Sequence, residues 1–250
     1  MRRLRSQRPP TVETWAADTY ETLYEAHAVA LPPALSIGAG DYDTMGRIML
    51  SALLQEGLEP GHTFVDFGCG TGRLARHVIP RLKGGAYIGI DISPSMLDQA
   101  KLQTADARGD GTEVRWVHQS GPTFDLPDGC VDYLAAFSVF THMEHEDTYL
   151  YLRDAFRITR DGGRFMFSCL TMDLPAAHGV FLDSTSRTLA ARWAQVRNVT
   201  TSYELMTSIA ELAGWSVVRW YKGDEELIDL DGSPGHRCAL GQSICVLQRP

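Results

Sequence analysis

A glycine-rich segment at residues 66–72, which reads Asp-Phe-Gly-Cys-Gly-Thr-Gly, carries the strongest chemical signal in the chain. Glycine lets a backbone pass close to a ligand, and a helix that begins just beyond it presents unpaired N–H groups to an anion. A further acidic residue, Asp91, ends the next apolar segment. In nucleotide-binding folds an acid at that place hydrogen-bonds the hydroxyls of a ribose. The segment and the acid together predict a site for a cofactor that contains a nucleoside.

The spacing of the glycines narrows the class of cofactor. They follow the pattern G-x-G-x-G, whereas dinucleotide-binding segments read G-x-G-x-x-G, and the place of the last glycine of that pattern is filled here by Arg73. Asp66 lies just before the glycines, where its charge would repel a pyrophosphate. The acid suits a ligand that carries an amino group as well as an adenosine, and S-adenosylmethionine (SAM) is such a ligand. A NAD-dependent oxidoreductase is disfavoured by the same features.

Several stretches of the chain resemble motifs of the class I SAM-dependent methyltransferases. The stretches are residues 66–74 (DFGCGTGRL), 87–91 (YIGID) followed by 93–97 and Ala100, 126–132, 138–142 and 159–165. In the last of them Asp161 stands where the family commonly has proline. The resemblance extends over about residues 60–170. It implies a Rossmann-like fold, SAM as the cofactor and S-adenosylhomocysteine (SAH) as the product.

The resemblance also implies which residues hold the methionine part of the cofactor. Those expected to line it are Asp66, Gly68, Cys69 and Gly70. After the fourth predicted strand, Phe137 and Ser138 are expected to flank the methionine amino group through their backbone carbonyls.

The adenosine part has its own expected contacts. By the resemblance, Asp91 binds the ribose hydroxyls and Ile92 lies against the adenine ring. The edge of the adenine is expected to meet residues that follow the third strand, where the family often has an aspartate. This chain has Gln119, Ser120 and Gly121 there, and which of the three replaces the aspartate stays open.

His142 is the candidate catalytic residue. Methyl transfer from a sulfonium requires the protein to hold the acceptor in line, to exclude water and, for some acceptors, to remove a proton. An unperturbed imidazole titrates near pH 6.5, so it can accept a hydroxyl proton at neutral pH. Alternatively, His142 braces its loop or shapes the pocket. No metal is expected, because His142, Glu144 and His145 lack the H-E-x-x-H spacing of a zinc-binding helix.

Alternating apolar and amphipathic segments predict the elements that bring these motifs together. Predicted strands occupy residues 63–67, 86–91, 114–118, 131–137, 164–170, 216–221 and 242–247. Predicted helices occupy residues 11–30, 41–56, 71–82, 147–159 and 203–213, with one more that begins at Ser93. Such alternation is typical of a parallel sheet wrapped by helices. We therefore predict an α/β fold: one doubly wound Rossmann-like domain with a mostly parallel seven-stranded sheet, an antiparallel C-terminal strand and an N-terminal helical cap.

The predicted organisation has two parts. Residues 1–57 form a tail and cap helices, and residues 58–250 form the SAM-binding methyltransferase domain. Within the domain, residues 171–202 match no core element and are interpreted as an insertion that serves as a substrate lid. Aromatic residues at helical spacing pack most often in a core, but those of the cap helix and of the insertion are candidates for covering the site. They are Trp15, Tyr20, Tyr24, Phe181 and Trp193.

Composition limits the partners. The net charge of −8, from 23 basic and 31 acidic residues, argues against nucleic acid as a partner, which would need a basic face. No apolar stretch approaches the roughly 18 residues of a membrane span, so we expect no membrane partner and a cytoplasmic protein. The five cysteines contain no C-x-x-C pair, which suits neither a disulfide framework nor structural zinc. The acids at residues 224–231 are expected to form a solvated loop rather than a calcium site.

The leading hypothesis is SAM-dependent methyl transfer to an oxygen or nitrogen of a small-molecule metabolite. Residues 137–140 read Phe-Ser-Val-Phe and not the Asn/Asp-Pro-Pro-Tyr/Phe that is typical of enzymes that methylate nucleic-acid amino groups. Two alternatives stay open: a SAM-binding enzyme that catalyses a cyclisation or decarboxylation, and a SAM-binding module without catalysis.

Overall fold

The computed structural model describes residues 17–30 and 41–250 of the chain. We number the described α-helices α1 (Ala17–Ala30), α2 (Tyr42–Gln55), α3 (Ala75–Val78), α4 (Pro94–Gln103), α5 (His145–Ile158), α6 (Pro175–Thr185), α7 (Leu189–Trp193) and α8 (Tyr203–Leu212). The strands are β1 (Thr63–Phe67), β2 (Ala86–Asp91), β3 (Glu113–His118), β4 (Val131–Ala136), β5 (Thr159–Thr171), β6 (Thr200–Thr201), β7 (Ser216–Tyr221), β8 (Ile228–Asp229), β9 (Arg237–Cys238) and β10 (Ser243–Gln248).

The central sheet has the strand order β3-β2-β1-β4-β5-β10-β7, with the short β6 beside β5. Strands β1 to β5 run parallel, and β10 lies antiparallel between β5 and β7. The predicted fold class is therefore confirmed. The order of the strands reverses between β1 and β4, and the crevice at the carboxyl ends of such a pair is where open α/β sheets bind ligands.

Both faces of the central part of the sheet are covered, which explains why β1, β2 and β4 are mostly apolar. In β1, Val65 and Phe67 pack on the face that carries α5 and α8, whereas Phe64 packs on the face that carries α2 and α3. Side chains alternate between faces along a strand. Asp66 therefore lies on the same face as Phe64, at the carboxyl end of β1, where it is buried.

The helix after β1 is shorter than the predicted range 71–82. It comprises only α3, followed by a 3₁₀ turn at Ile79–Arg81. Gly72 has φ of +85°, which no α-helix accepts, so the helix begins later. Pro80 lacks an N–H and cannot continue the ladder of helical hydrogen bonds, so the last turn tightens.

Two segments for which the sequence predicts no core strand or helix contain ordered elements. The predicted insertion at residues 171–202 holds α6, α7 and β6. The loop that joins β7 to β10 holds the β8–β9 hairpin. This loop is anchored to α2, because Gln55 accepts the N–H of Asp229 at 3.1 Å and Arg47 pairs with Asp231. The sequence had led us to expect a solvated loop, but at least one of its acids, Asp231, is bound to α2.

Two expectations for the N-terminal region lie partly or wholly outside the described residues. The predicted helix at residues 11–30 is described from Ala17 onward as α1, and Trp15 is outside the described part.

None of the helices in the described part of the chain is both long and apolar enough to cross a membrane.

Candidate functional site

A cavity of about 390 Å³ lies at the carboxyl ends of the parallel strands, beside the neighbouring strands β1 and β4. Most of the predicted site residues line it: Asp66, Gly68, Cys69, Gly70, Asp91, Ile92, Gln119, Phe137, Ser138 and His142. Ser120 and Gly121 are not among its lining residues. The structure thus brings the predicted residues together, while their roles toward a ligand stay predictions.

The glycine loop after β1 has a backbone that only glycine adopts easily. Gly68 has φ of +71° and Gly70 has φ of +54°. A Cβ at Gly68 would lie 2.4 Å from Val139 Cγ2, so a side chain there would collide with the loop after β4. The N–H groups of Gly68 and Cys69 donate to the carbonyl of Ile90, at 2.8 and 3.0 Å. The loop is therefore held between β2 and β4, against the cavity.

Asp91 is buried at the end of β2 and binds the backbone on both sides. Its Oδ2 accepts the N–H of Gly70 at 2.8 Å, and its Oδ1 accepts the N–H of Ser93 at 2.9 Å. Burial raises the pKa of Asp91, and the backbone hydrogen bonds act in the opposite direction. Each carboxylate oxygen has two lone pairs, so both oxygens can still accept a ligand hydroxyl.

Asp66 faces the same cavity and is buried as well. The hydroxyl of Tyr87 donates to its Oδ2 at 2.7 Å. Burial raises the pKa of Asp66 to about 7; the hydrogen bond from Tyr87 and the positive charge of Arg73 act in the opposite direction. Arg73, which sequence analysis treated only as a departure from a glycine pattern, also lines the cavity. The carboxyl group of Asp66 is thus only partly ionised at neutral pH, and a cation beside it would favour the ionised form.

Gln119 is the residue after β3 that reaches the cavity. Its N–H donates to the carbonyl of Asp91 at 3.1 Å, which keeps it at the sheet edge. Its Nε2 donates to the carbonyl of Gly121 at 2.9 Å, which fixes the orientation of the amide. Its Oε1 is buried and has no hydrogen-bond partner among the described residues. Of the three residues that the sequence left as candidates, Gln119 is therefore the one that lines the cavity, and the contact of any of them with an adenine stays a prediction.

Helix α1 covers the cavity with one face, from which Tyr20, Tyr24 and His27 line it. The Tyr20 hydroxyl donates to Asp147 Oδ2 at 2.7 Å, which ties α1 to the first turn of α5. Farther along α1, Glu25 accepts the Ser93 hydroxyl at 2.6 Å, which ties the helix to the start of α4. The predicted cap helix is thus fastened at two places above the ends of the strands.

His142 is held in a defined tautomer. Its Nδ1 lies 2.8 Å from the carbonyl oxygen of Arg197, which can only accept, so Nδ1 carries the proton and Nε2 is the basic nitrogen. The ring packs edge-on against Tyr24, with 5.8 Å between centroids. Burial lowers the pKa of His142, and the hydrogen bond to Arg197 acts in the opposite direction. The imidazole is therefore neutral at neutral pH, as a general base must be.

Gln242 is a cavity residue that sequence analysis missed. Its Oε1 accepts the Ser168 hydroxyl at 2.7 Å and the Ser138 hydroxyl at 3.2 Å. Ser138 has φ of +59°, and its N–H donates to Ser168 Oγ at 2.7 Å. Because Oε1 is used in this network, Gln242 would contact a ligand through the N–H groups of its amide. No motif in the sequence could have indicated it, because it joins β10 to the loop after β4 only in the folded chain.

The residues considered for a metal have other partners. Glu144 pairs with Arg197 at 2.7 Å, and His145 Nε2 lies 3.2 Å from the Thr201 hydroxyl.

Known proteins are similar to parts of this chain. Residues 64–163 match a family model described as a methyltransferase domain. Over 148 residues the chain is 32% identical to the malonyl-[acyl-carrier protein] O-methyltransferase of Serratia marcescens, which covers 56% of this chain and 52% of that protein. Over 108 residues it is 32% identical to the ribosomal protein L11 methyltransferase of Burkholderia mallei, which covers 43% and 31%. The chain thus spans no more than 52% of the length of either relative.

A solved structure is similar over nearly the whole length. The magnesium protoporphyrin IX methyltransferase of Synechocystis PCC 6803, with bound SAH, has a TM-score of 0.58 at 16% identity. The likeness covers 93% of this chain and 94% of that one. At this identity the comparison concerns the fold.

The first prediction concerns the stability of the protein without cofactor. The pKa of Asp66 is about 7 in the fold against an ordinary value of 3.8, so the folded state binds this proton more tightly. The stabilisation from Asp66 is fully present below about pH 4 and is lost as pH rises through about 7, by up to roughly 4 kcal/mol. In Asp66→Asn this loss should be absent. Urea unfolding at several pH values between 4 and 8 measures it.

The control is Asp98→Asn, which replaces an exposed carboxylate paired with Lys101 on the outside of α4. Its free energy of unfolding should follow the pH dependence of the wild type. The assignment of Asp66 is contradicted if Asp66→Asn follows the wild-type curve too.

Proposed function

We propose, on the premise that this chain carries a class I SAM-dependent methyltransferase domain, that it transfers a methyl group from SAM to an oxygen or nitrogen of a small-molecule acceptor in the cytoplasm. The match of residues 64–163 to a methyltransferase-domain model confirms the resemblance seen in the sequence. SAM is the cofactor that this family and the fold indicate. The observation that carries the proposal is that one cavity is lined by two buried acids, Asp66 and Asp91, and by Gln119, whose Oε1 has no hydrogen-bond partner among the described residues.

These groups fit the two ends of the cofactor. Asp66 would bind the ammonium group of the methionine part, since a cation stabilises its carboxylate. Arg73 and the amide of Gln242 would receive the methionine carboxylate. Asp91 would accept the ribose hydroxyls, and Gln119 Oε1 would accept from the adenine amino group, which is a donor. The bound sulfonium supplies an electrophilic methyl group, so the protein needs no further reactive group for the transfer.

A small acceptor is favoured over a macromolecule by the cover of the cavity. Helix α1 is fastened above it through Tyr20 and Glu25, and the segment at residues 196–198 lies on the other side, with Val196 and Asn198 among the lining residues. A protein chain or a nucleic acid would need an open groove leading to the methyl group. The relative that acts on ribosomal protein L11 matches only 43% of this chain.

The residues of the cover also serve the reaction. A cover over the cavity limits the access of water, which would compete with the acceptor. His142 lines the cavity with Nε2 as its basic nitrogen, so it would accept the proton of a hydroxyl acceptor during transfer.

The direct test is incubation with SAM and a panel of small metabolites that carry hydroxyl or amino groups. Formation of SAH together with a product heavier by one methyl group supports the proposal. A product without SAH indicates a cyclisation or decarboxylation, and SAM binding without any turnover indicates a binding module.

The second prediction tests the ribose contact. Asp91→Ala should weaken SAH binding by about 2–4 kcal/mol, or roughly 30- to 1000-fold, because two charge-assisted hydrogen bonds are lost. The same change removes the acceptor for the Gly70 N–H, so the loop is affected too. Calorimetry with SAH and with its 2′,3′-dideoxy analogue separates the effects. Wild type should prefer SAH, and Asp91→Ala should bind both alike; an undiminished preference in the variant contradicts the contact.

The third prediction tests the adenine contact. Gln119→Ala should weaken SAH binding by about 0.5–1.5 kcal/mol, the usual net value of one hydrogen bond. It should also lose the preference for SAH over S-inosylhomocysteine, in which a carbonyl replaces the amino group. Ser120→Ala, at a position that does not line the cavity, is the matched control and should behave as wild type. Calorimetry that shows the same preference in Gln119→Ala and wild type would falsify the role.

The fourth prediction concerns His142, with a hydroxyl acceptor found in the panel. His142→Ala should lower kcat by about 10²–10⁴-fold while SAH affinity changes little. Because the pKa of His142 is lowered by burial, the wild-type rate should rise with pH only below about 6.5 and be level at neutral pH. The variant should show no such rise. His145→Ala, which removes a contact to Thr201 outside the cavity, is the control.

A role in bracing the loop gives a different pattern. In that case His142→Ala loses SAH affinity, retains most of its turnover and keeps the wild-type pH profile. A variant within about threefold of wild type at every pH excludes the base.

A further inference from the structure

A second pocket, of about 320 Å³, adjoins the cofactor cavity, and we call it the side pocket. Its walls come from α1, from the start of α5 and from the end of the insertion. They are formed by Tyr20, Leu23, Tyr24, His142, Glu144, Asp147, Trp193, Gln195, Val196 and Arg197. Phe181, the other aromatic residue expected over the site, is exposed and does not line it.

The side pocket and the cofactor cavity share a wall. Tyr20, Tyr24, His142 and Val196 line both. A molecule in the side pocket would therefore lie next to one in the cofactor cavity, with His142 in the wall between the two spaces.

The charged groups of the side pocket already have partners within it. Arg197 binds Glu144 at 2.7 Å and lies over the ring of Trp193, 5.0 Å from its centroid. Asp147 accepts the hydroxyl of Tyr20 at 2.7 Å. The remaining surface comes from Leu23, Val196, the amide of Gln195 and the aromatic rings. An anionic ligand would be desolvated here with no free cation among the described lining residues, which is costly, whereas a neutral aromatic ligand would gain stacking and apolar contact.

We propose that the side pocket is the acceptor site and takes an uncharged, largely aromatic molecule whose hydroxyl group points toward His142. This inference rests on the proposed function. His142 Nε2 accepts the hydroxyl proton while the acceptor oxygen bonds to the methyl carbon. The electron pair of the broken carbon–sulfur bond passes to sulfur. The products are the methyl ether and SAH, and the proton passes from the imidazolium to solvent.

The insertion has a specific part in this arrangement. Arg197 orients His142 through its backbone carbonyl, and its side chain connects Glu144 at the start of α5 to Trp193 in α7. The wall of the acceptor site and the orientation of the base therefore depend on the same residue. Arg197 is a positioning residue.

Another opening, lined by Arg187 and Arg192, would suit an anionic ligand better, but the observations favour the side pocket. Arg187 already pairs with Asp183, and Arg192 donates to the carbonyls of Ser184 and Arg187. His142 does not line this opening, so a ligand there would lie away from the base.

The test uses two naphthalene probes that share the ring system and differ in the charge of the substituent. Calorimetry measures the binding of 1-naphthol and of 1-naphthoate to the full chain saturated with SAH. The neutral probe should bind at least about tenfold more tightly, because none of the described residues that line the pocket offers a free cation. Equal binding, or tighter binding of naphthoate, overturns the proposal.

A pair of tryptophan variants on α1 locates the probe. Leu23→Trp fills the side pocket and should weaken 1-naphthol binding by at least about tenfold while SAH affinity stays within about threefold. Val29→Trp, at a position that is 73% exposed on the same helix, should bind both ligands as wild type does. Unchanged binding of 1-naphthol to Leu23→Trp overturns the side pocket as the acceptor site.

The measurement of SAH binding comes first and keeps the two proposals apart. If wild type does not bind SAH, the proposed function fails, and the acceptor site fails with it. If SAH binds but the probes are not distinguished, only the assignment of the side pocket fails.

Discussion

The carboxylate of Asp91 is the contact on which the rest of the site depends. One of its oxygens accepts the N–H of Gly70 and the other accepts the N–H of Ser93, so a single group joins the glycine loop to the start of α4. Hydrogen bonds to an ionised carboxylate are stronger than those between neutral groups. Loss of the carboxylate would also leave two backbone donors unpaired. The ligand site and the geometry of the strand ends are therefore built on the same side chain.

Two buried acids at one end of a sheet give the site its electrostatic character. Burial opposes the ionisation of Asp66 and Asp91 alike, and each negative charge disfavours the other. Arg73 offsets this only in part, since the pKa of Asp66 still stands near 7. A ligand with a cationic amino group lowers the free energy of the ionised form, so its binding and the loss of a proton from Asp66 are linked.

The cover of the site comes from outside residues 64–163, the part that matches the methyltransferase family. Helix α1 is fastened by Tyr20 to α5 and by Glu25 to α4. From the insertion, the carbonyl of Arg197 decides the tautomer of His142. Residues 64–163 accordingly supply the glycine loop and the acids that line the cavity, whereas α1 and the insertion shape the space beside it. This division explains how one fold serves many acceptors.

The sequence by itself determined the parallel sheet, the glycine loop and the acid at Asp91, because these follow from alternation and from residues close together in the chain. The sequence alone placed the start of the helix after β1 too early, because the left-handed backbone of Gly72 is visible only in the fold. Tertiary structure alone decided that Gln119 faces the cavity, that Gln242 joins it, and that His142 has Nε2 as its basic nitrogen. Each of these depends on a hydrogen bond whose geometry is set by packing, in two cases between residues far apart in the chain, and no local pattern encodes such a contact.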